Sequence, residues 1–320
     1  MPTAEEARAR LAAIPNVTVL EHAPLARYTR FGVGGPADLY VETASEEGFV
    51  AVLAAARSCG LATVIIGDGT NLIVSDRGFR GAALRYRGDG ISAEGARVVA
   101  QAGAVLQRLV DFAIAHGLAG LETLAGIPGS LGAAVYGNAG AYGHSIAERV
   151  VSVRAYDGRQ LRVLDNRECE FQYRESVFKR HKEWFVLSAS LLLEPGDAAA
   201  LRLRADEILA VRNEKFPPTL KCAGSIFKNL LVKDLPAEVT ALVPASAVRE
   251  GKIPAAWFLE RAGAKGASRG DIHVASYHAN LLYNAGAGTA ADLCSLIAEL
   301  KAGVQARFGI DLEEEVQYVG

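Results

Sequence analysis

The sequence predicts an α+β protein of two or three domains, and three patterns in its 320 residues carry that reading. Between Leu61 and about Glu194, short strand candidates follow one another through turns, without the strict strand–helix alternation of a doubly wound sheet. A long helical run then covers Asp197 to Asn213 and stops before Pro217-Pro218, a break that marks a domain boundary. Beyond it helix and strand patterns resume, so the last third forms a separate α/β unit.

Taken in order, Thr3 to Ile14 reads as a short amphipathic helix with Thr3 as N-cap and Glu6 closing a capping box. Val17 to Leu20 and Ala37 to Val41 are strand-like and flank the Gly-rich turn Arg30 to Pro36; a helix from Ser45 to about Ser58 follows and ends at Gly60. In the middle section the strand candidates are Ala62 to Ile66, Ala82 to Arg85, Val98 to Gln101, Val150 to Tyr156, Gln160 to Leu164 and Trp184 to Leu193. Helices fall at Ala104 to His116 and near Ser130 to Val135, and Tyr156-Asp157-Gly158-Arg159 is a hairpin turn. In the long run, Leu201, Ala205, Ile208, Leu209 and Val211 are spaced for one buried stripe. In the last third, Ala255 to Ala262 and Thr289 to Phe308 are helical, while Ile272 to Ala275 and Asn280 to Tyr283 are strand-like.

Composition narrows the function. Half the residues are hydrophobic and 22% are charged, ordinary for a globular protein. A formal net charge of −2 gives no electrostatic case for nucleic acid or an anionic membrane surface, so an anionic ligand must be met by local cations. Cys59, Cys169, Cys222 and Cys294 form no CxxC pair, so neither a disulfide framework nor a zinc site is indicated, and no HxxxH or HxE spacing suggests a metal. Reduced thiols, an N-terminus without the apolar core of a signal peptide, and no stretch of 18 apolar residues together predict a cytoplasmic protein.

Two glycine-rich stretches carry the chemistry. Leu121 to Gly143 holds six glycines and six other residues no larger than Ala or Ser, so backbone N–H groups there can approach a ligand. Ile66 to Asp76 follows an apolar run and places Asp, Thr and Asn among its glycines. The two together, in a chain without GxGxxG or GxxxxGK[ST], point to a dinucleotide held by a fold other than Rossmann or P-loop.

Five ordered motifs, the pair of glycine loops counted as one, complete the picture: Thr29-Arg30-Phe31-Gly32-Val33-Gly34-Gly35-Pro36-Ala37, the two glycine loops, Tyr173-Arg174-Glu175-Ser176-Val177-Phe178-Lys179, Gly224-Ser225-Ile226-Phe227-Lys228-Asn229, and Leu312-Glu313-Glu314-Glu315-Val316. In order and spacing, from about Arg27 onward, the chain resembles the UDP-N-acetylenolpyruvoylglucosamine reductase family. The resemblance implies a vanillyl-alcohol-oxidase (PCMH)-type FAD-binding domain plus a C-terminal α/β substrate-binding domain. Its expected divisions are 1–60 and 61–196 for the two FAD subdomains, 197–214 for a linking helix, 215–310 for the substrate domain and 311–320 for a returning strand. It implies FAD and NADPH as cofactors, and UDP-N-acetylglucosamine enolpyruvate as substrate, reduced to UDP-N-acetylmuramate. No histidine stands in an evident covalent-flavin motif, so FAD is expected to be noncovalent. The expected cofactor contacts are Arg30, then Gly67, Asp68, Gly69, Thr70, Asn71 and Leu72, then Gly126, Ile127, Pro128, Gly129, Ser130, Gly132, Ala133, Asn138, Gly140, Ala141 and Tyr142.

The implied reaction needs a stabiliser for an enolate-like intermediate, a proton donor and cations for a diphosphate. By resemblance Ser225 is the donor, a hydroxyl that in a closed site needs only geometry and a hydrogen-bonded network. Arg174 offers a planar fork to the substrate carboxylate. Within the family's Leu-Glu-Pro-Glu-Val pattern the catalytic carboxylate falls at Glu315, and strand alternation does not by itself choose it over Glu314. Arg212, Lys215, Lys228 and Asn229 are candidates for the diphosphate, uridine or nicotinamide nucleotide, and His278 and Asn280 for the same cleft. This chain departs from the family pattern in four places. Asp68 puts an anion where glycine is common, Glu314 replaces proline, Leu230 stands where proline follows Lys-Asn, and 230–252 reads as an insertion, a lid or a surface loop. The short segment between Arg174 and Trp184 matches the subclass lacking a tyrosine-bearing substrate loop.

Overall fold

The structure, a computed structural model, describes residues 4–320. The Thr3 N-cap lies outside the described residues; the first helix runs Ala4–Ala12. The chain divides into two units: residues up to 23, 37–68 and 80–214 form the first, and 24–36, 69–79 and 215–320 the second.

In the first unit a four-stranded sheet runs in the order Thr18–Pro24, Pro36–Thr43, Phe79–Tyr86, Thr63–Ile65, its last pair parallel with Thr63 opposite Ala82. The helix Glu46–Ser58 forms because Ser45 caps it, its Oγ accepting the Gly48 N–H at 3.0 Å, and it buries Phe49, Val52 and Ala56. The Phe49 ring stacks on Phe185 at 4.3 Å and meets Tyr86 edge-on at 5.5 Å, tying this helix to a second sheet. That sheet is antiparallel throughout, in the order Leu161–Asp165, Val150–Tyr156, Phe185–Leu192, Arg97–Gln101, Ile91–Glu94. Its hairpin turn sits one residue later than the sequence predicts, at 157–160, because Tyr156 pairs with Leu161 and Asp157 Oδ1 accepts the N–H groups of Arg159 and Gln160.

The helix Ala198–Lys215 corrects one expectation. Leu201 and Ala205 are buried, but Ile208 and Leu209 are only half-buried and Val211 is 56% exposed, so the buried stripe ends after the first turns.

In the second unit the strands Ser268–Arg269, Ile272–Ala275 and His278–Asn284 form an antiparallel sheet against the helices Ala255–Arg261 and Ala290–Phe308. The latter helix starts in a Thr289/Asp292 capping box and ends at Gly309 in the left-handed region (φ 67°). A short parallel pair joins Leu72–Val74, a strand the sequence reading did not pick out because its partner lies near the other end of the chain, to Gln317–Val319 within the expected returning strand 311–320. Phe31, Val33 and Ile73 are buried in the same core as Phe227, Phe258, Leu281 and Leu293. The insertion 230–252 is closed at its base by Leu230 opposite Ile253 and Leu231 opposite Lys252, and it buries Val239 and Val243. It is a packed excursion and not an open flap.

Candidate active site

The expected site residues fall into two groups, one in each unit. In the first unit, Ser130 caps the short helix Leu131–Tyr136, and the glycine stretch is bound tightly to its own surroundings. Gly126 N–H donates to Gln107 Oε1 at 2.8 Å, Ile127 N–H to Leu124 O at 3.1 Å and Gly132 N–H to Ala102 O at 2.8 Å. The backbone N–H groups of Gly126, Ile127 and Gly132, three of the expected cofactor contacts, are therefore engaged within the protein. Close packing explains two of the glycines. A Cβ at Gly126, itself at φ +73°, would lie 2.9 Å from Leu209 Cδ1 and 3.3 Å from Arg212 Cδ, and one at Gly132 would lie 2.9 Å from Ala102 Cβ. Arg212, expected at the substrate, thus packs on the glycine stretch. Asn138 holds the loop from inside, its Nδ2 donating to Gln172 O and its Oδ1 accepting from Ala147 N–H. Gly140 and Ala141 pair with Ser145 and His144 around a tight turn, with Tyr142 (φ 53°) and Gly143 (φ 82°) both left-handed.

Arg174 lies against this turn. Its Nη2 donates to Gly140 O at 3.0 Å, and its backbone is left-handed (φ 58°), an unusual conformation for an arginine. Lys179 Nζ supports it by donating to Arg174 O at 2.8 Å, while Ser176 Oγ, fully buried, donates to Tyr136 O at 2.6 Å. The structure thus brings Arg174 to the second half of the glycine stretch.

Asp68 finds a partner that removes the objection to it. Its Oδ1 lies 2.5 Å from Arg85 Nη2, with both side chains largely shielded. Gly67 beside it is left-handed (φ +48°), and a Cβ there would meet nothing within 4 Å. Open space next to a neutralised carboxylate fits an anionic cofactor such as FAD.

In the second unit, residues 225–228 lie between the strand His278–Asn284 and the C-terminal tail. On one side Ser225 bridges Leu281, Ile226 N–H donates to Asn280 O, and Asn280 clasps Phe227 through Oδ1 and Nδ2, both at 2.9 Å. On the other side Glu315 N–H donates to Ile226 O at 2.7 Å and Lys228 N–H to Glu313 O at 2.9 Å. Asn71 Nδ2 donates to Glu315 O at 2.9 Å, and Asn71 O accepts from Gln317 N–H. Asn71 and Asn280, expected as ligand contacts, therefore hold the Glu315 and Ser225 segments. Arg30 N–H donates to Gly69 O at 3.0 Å, and a Cβ at Gly69 would fall 1.8 Å from Tyr28 O, which is why only glycine fits there.

Lys228, buried, pairs with the exposed Glu313, and Asn229 Oδ1 accepts from Ala255 N–H at 3.4 Å. Lys215 Nζ lies 5.2 Å from the Phe216 ring centre, and His278 meets Phe216 edge-on at 5.8 Å. His278 is buried, and its Nε2 has no hydrogen-bond partner among the described residues. Burial, then Lys215 and Lys265, pushes its pKa down to about 4, so the ring is neutral at pH 7. Residues that sequence reasoning missed are Arg85, Gln107, Lys179 and Ser176. Ser176 and Lys179 stand inside the quoted Tyr173–Lys179 motif without having been given a role, and Arg85 is a lone cation closing an apolar strand.

The chain is similar to known proteins over nearly its whole length. Residues 216–319 match the family model described as UDP-N-acetylenolpyruvoylglucosamine reductase, C-terminal domain, and residues 37–162 match an FAD binding domain. A UDP-N-acetylenolpyruvoylglucosamine reductase of Solibacter usitatus is 63% identical over 311 residues, covering 97% of this chain and 100% of its own. Its counterpart from Pediococcus pentosaceus is 38% identical, with 96% of each chain covered. The crystal structure of UDP-N-acetylenolpyruvylglucosamine reductase from Thermus caldophilus matches with a TM-score of 0.73 at 28% identity, over 95% of this chain and 99% of that one.

Proposed function

Since the chain belongs to the UDP-N-acetylenolpyruvoylglucosamine reductase family, we propose that it carries out that family's reaction and that the residues just described take part in it. The reaction is the FAD-dependent, NADPH-consuming reduction of the enolpyruvyl group of UDP-N-acetylglucosamine enolpyruvate to UDP-N-acetylmuramate, a step of peptidoglycan precursor synthesis. FAD, held by the residues named below, would supply the hydride-transfer chemistry that links NADPH to the double bond of the substrate. The residues of the chain must hold that cofactor, polarise the substrate carboxylate and deliver a proton.

In this reading Gly67, Ser130 and the Gly140 to Tyr142 turn hold FAD without a covalent bond, and Arg85 keeps Asp68 from repelling its diphosphate. Arg174, fixed by Lys179 beneath its carbonyl, offers its guanidinium to the substrate carboxylate, whose negative charge grows as the double bond accepts hydride. Ser225 Oγ donates the proton to the neighbouring carbon, and Glu315 hydrogen-bonds the network that restores it. Arg212, Lys215 and Lys228 serve the diphosphates. The short helix Val177–Arg180 takes up much of the stretch between Arg174 and Trp184, which supports the subclass without a tyrosine-bearing substrate loop. The enzyme is proposed to work in the cytoplasm.

One observation carries the assignment of the donor. The 2.7 Å bond from Glu315 N–H to Ile226 O brings the carboxylate-bearing tail to the residue next to Ser225. The test is anaerobic: the yellow protein is reduced with NADPH, then mixed with the enolpyruvyl UDP-sugar while flavin absorbance is followed. Reoxidation by that substrate, and not by simple alcohols, supports the reading over an FAD-dependent alcohol or sugar oxidase of related fold. Ser225→Ala is expected to keep reduction by NADPH and to slow reoxidation by about 10²-fold or more, the usual weight of a positioned proton donor. Equal loss in both half-reactions counts against the role.

A further inference from the structure

Glu314 is held from two sides. Its Oε1 lies 2.7 Å from Lys301 Nζ on the helix Ala290–Phe308, and its Oε2 accepts a short hydrogen bond from the Tyr318 hydroxyl. Only 18% of the Glu314 side chain is exposed, against 38% for Lys301, so the ion pair is shielded more than a surface pair. Tyr318 stays protonated far into alkaline pH, because burial and then the Glu314 carboxylate both raise its pKa.

The backbone at this point matters to Glu315. Phe227 and Glu314 stand opposite each other, and the ladder bonds flank the pair, Lys228 N–H to Glu313 O on one side and Glu315 N–H to Ile226 O on the other. The N–H of residue 314 is therefore not used toward Phe227, and proline is tolerated there. Proline stiffens a chain by fixing φ. A glutamate does not, and this tail has no further strand pairing until Gln317. Leu312 and Val316 are buried on either side of the three glutamates, but buried apolar side chains hold depth and not torsion.

We propose that Lys301 and Tyr318, by gripping Glu314, are positioning residues for Glu315 and take over the restraint that proline gives at this point. The proposal rests on the reading of Glu315 given above. Neither Lys301 nor Tyr318 is proposed to touch substrate. Their effect passes through the backbone of 313–315 to the bond at Ile226, one residue from Ser225.

The test uses the whole protein and the variants Lys301→Met, Tyr318→Phe and Lys301→Met/Glu314→Pro. Hydrogen exchange on the protein without substrate reads the amides of Lys228 and Glu315 directly. Lys301→Met is expected to speed their exchange about tenfold, as befits loss of a restraint on a locally opening segment, and the added proline to restore it. In stopped flow the same variant is expected to slow reoxidation by the enolpyruvyl substrate about tenfold, with reduction by NADPH unchanged and recovery in the proline double variant. Unchanged exchange at Glu315, or equal loss in both half-reactions without rescue by proline, overturns the proposal. If the parent protein is not reoxidised by the enolpyruvyl substrate, the functional reading fails, while the exchange measurement still decides whether the clamp exists.

Discussion

At the scale of single residues, two side chains gain their meaning from charge. Asp68 is paired with Arg85 at 2.5 Å, which makes it compatible with the diphosphate-binding role proposed for its loop. Arg85→Met is therefore expected to weaken FAD binding about tenfold at low ionic strength, less in salt, with recovery in Arg85→Met/Asp68→Asn. Fluorescence quenching of titrated FAD measures this, and an unchanged affinity in the single variant contradicts the role given to Arg85. His278 carries a different consequence. In the unfolded chain a histidine binds its proton below about pH 6.5, whereas in the fold burial and two lysines hold the pKa down to about 4. Between those values the unfolded state binds more protons, so stability rises with pH there and is lost as pH falls through the window. The expected loss from this group reaches roughly 3 kcal/mol at the acid end. Urea unfolding of the parent and of His278→Gln from pH 7 to pH 4 checks it. The variant should lose less stability over that range, and equal losses would remove His278 as the cause.

At the scale of elements, periodicity and caps made most of the chain legible. Ser45 and Gly60 bracket their helix, Thr289 and Gly309 theirs, and Val150 to Tyr156 is a strand as its alternating, β-branched composition predicts. The long helix shows where the same rule fails. Apolar spacing says which residues share a face, not whether anything covers it, and the Ala198–Lys215 helix is covered only around Leu201 and Ala205. Leu201→Ala is thus expected to cost about 2 kcal/mol or more, and Val211→Gln less than about 0.5 kcal/mol. Denaturant midpoints of the two variants decide the matter, and a large cost at Val211 would mean the helix is covered along its length. Of the candidate site, the glycine stretches and the Gly224–Asn229 motif stand out in the sequence because small residues and a fixed motif leave a mark in one dimension, while the roles given to them stay proposals. The partners that orient them were not: Gln107 serves Gly126, and Asn71 reaches a carbonyl 244 positions away.

At the scale of the molecule, the proline break after Lys215 lies beside the division between the two units, yet the second unit is not built from the last third alone. The second unit takes 24–36 and 69–79 from the first third of the sequence as well as 215–320. Phe31, Val33 and Ile73 are buried among residues of the last third, Asn284 Nδ2 donates to Phe31 O at 3.0 Å, and Asp76 accepts the N–H groups of Ala290 and Ala291 at the start of the final long helix. A chain ended at residue 214 would expose those three apolar side chains, at a cost of about 2 kcal/mol each. The fragment 215–320 would lack the Leu72–Val74 partner of its last strand and the carboxylate that caps its long helix. Local pattern cannot report this, since the three segments meet only after the chain has passed through the first unit. Neither fragment alone is expected to melt cooperatively, whereas near-ultraviolet circular dichroism of the two mixed should recover part of the signal of the intact protein. A sharp, reversible melt of 215–320 on its own would show that the early segments are ornaments on an independent domain and not part of its core.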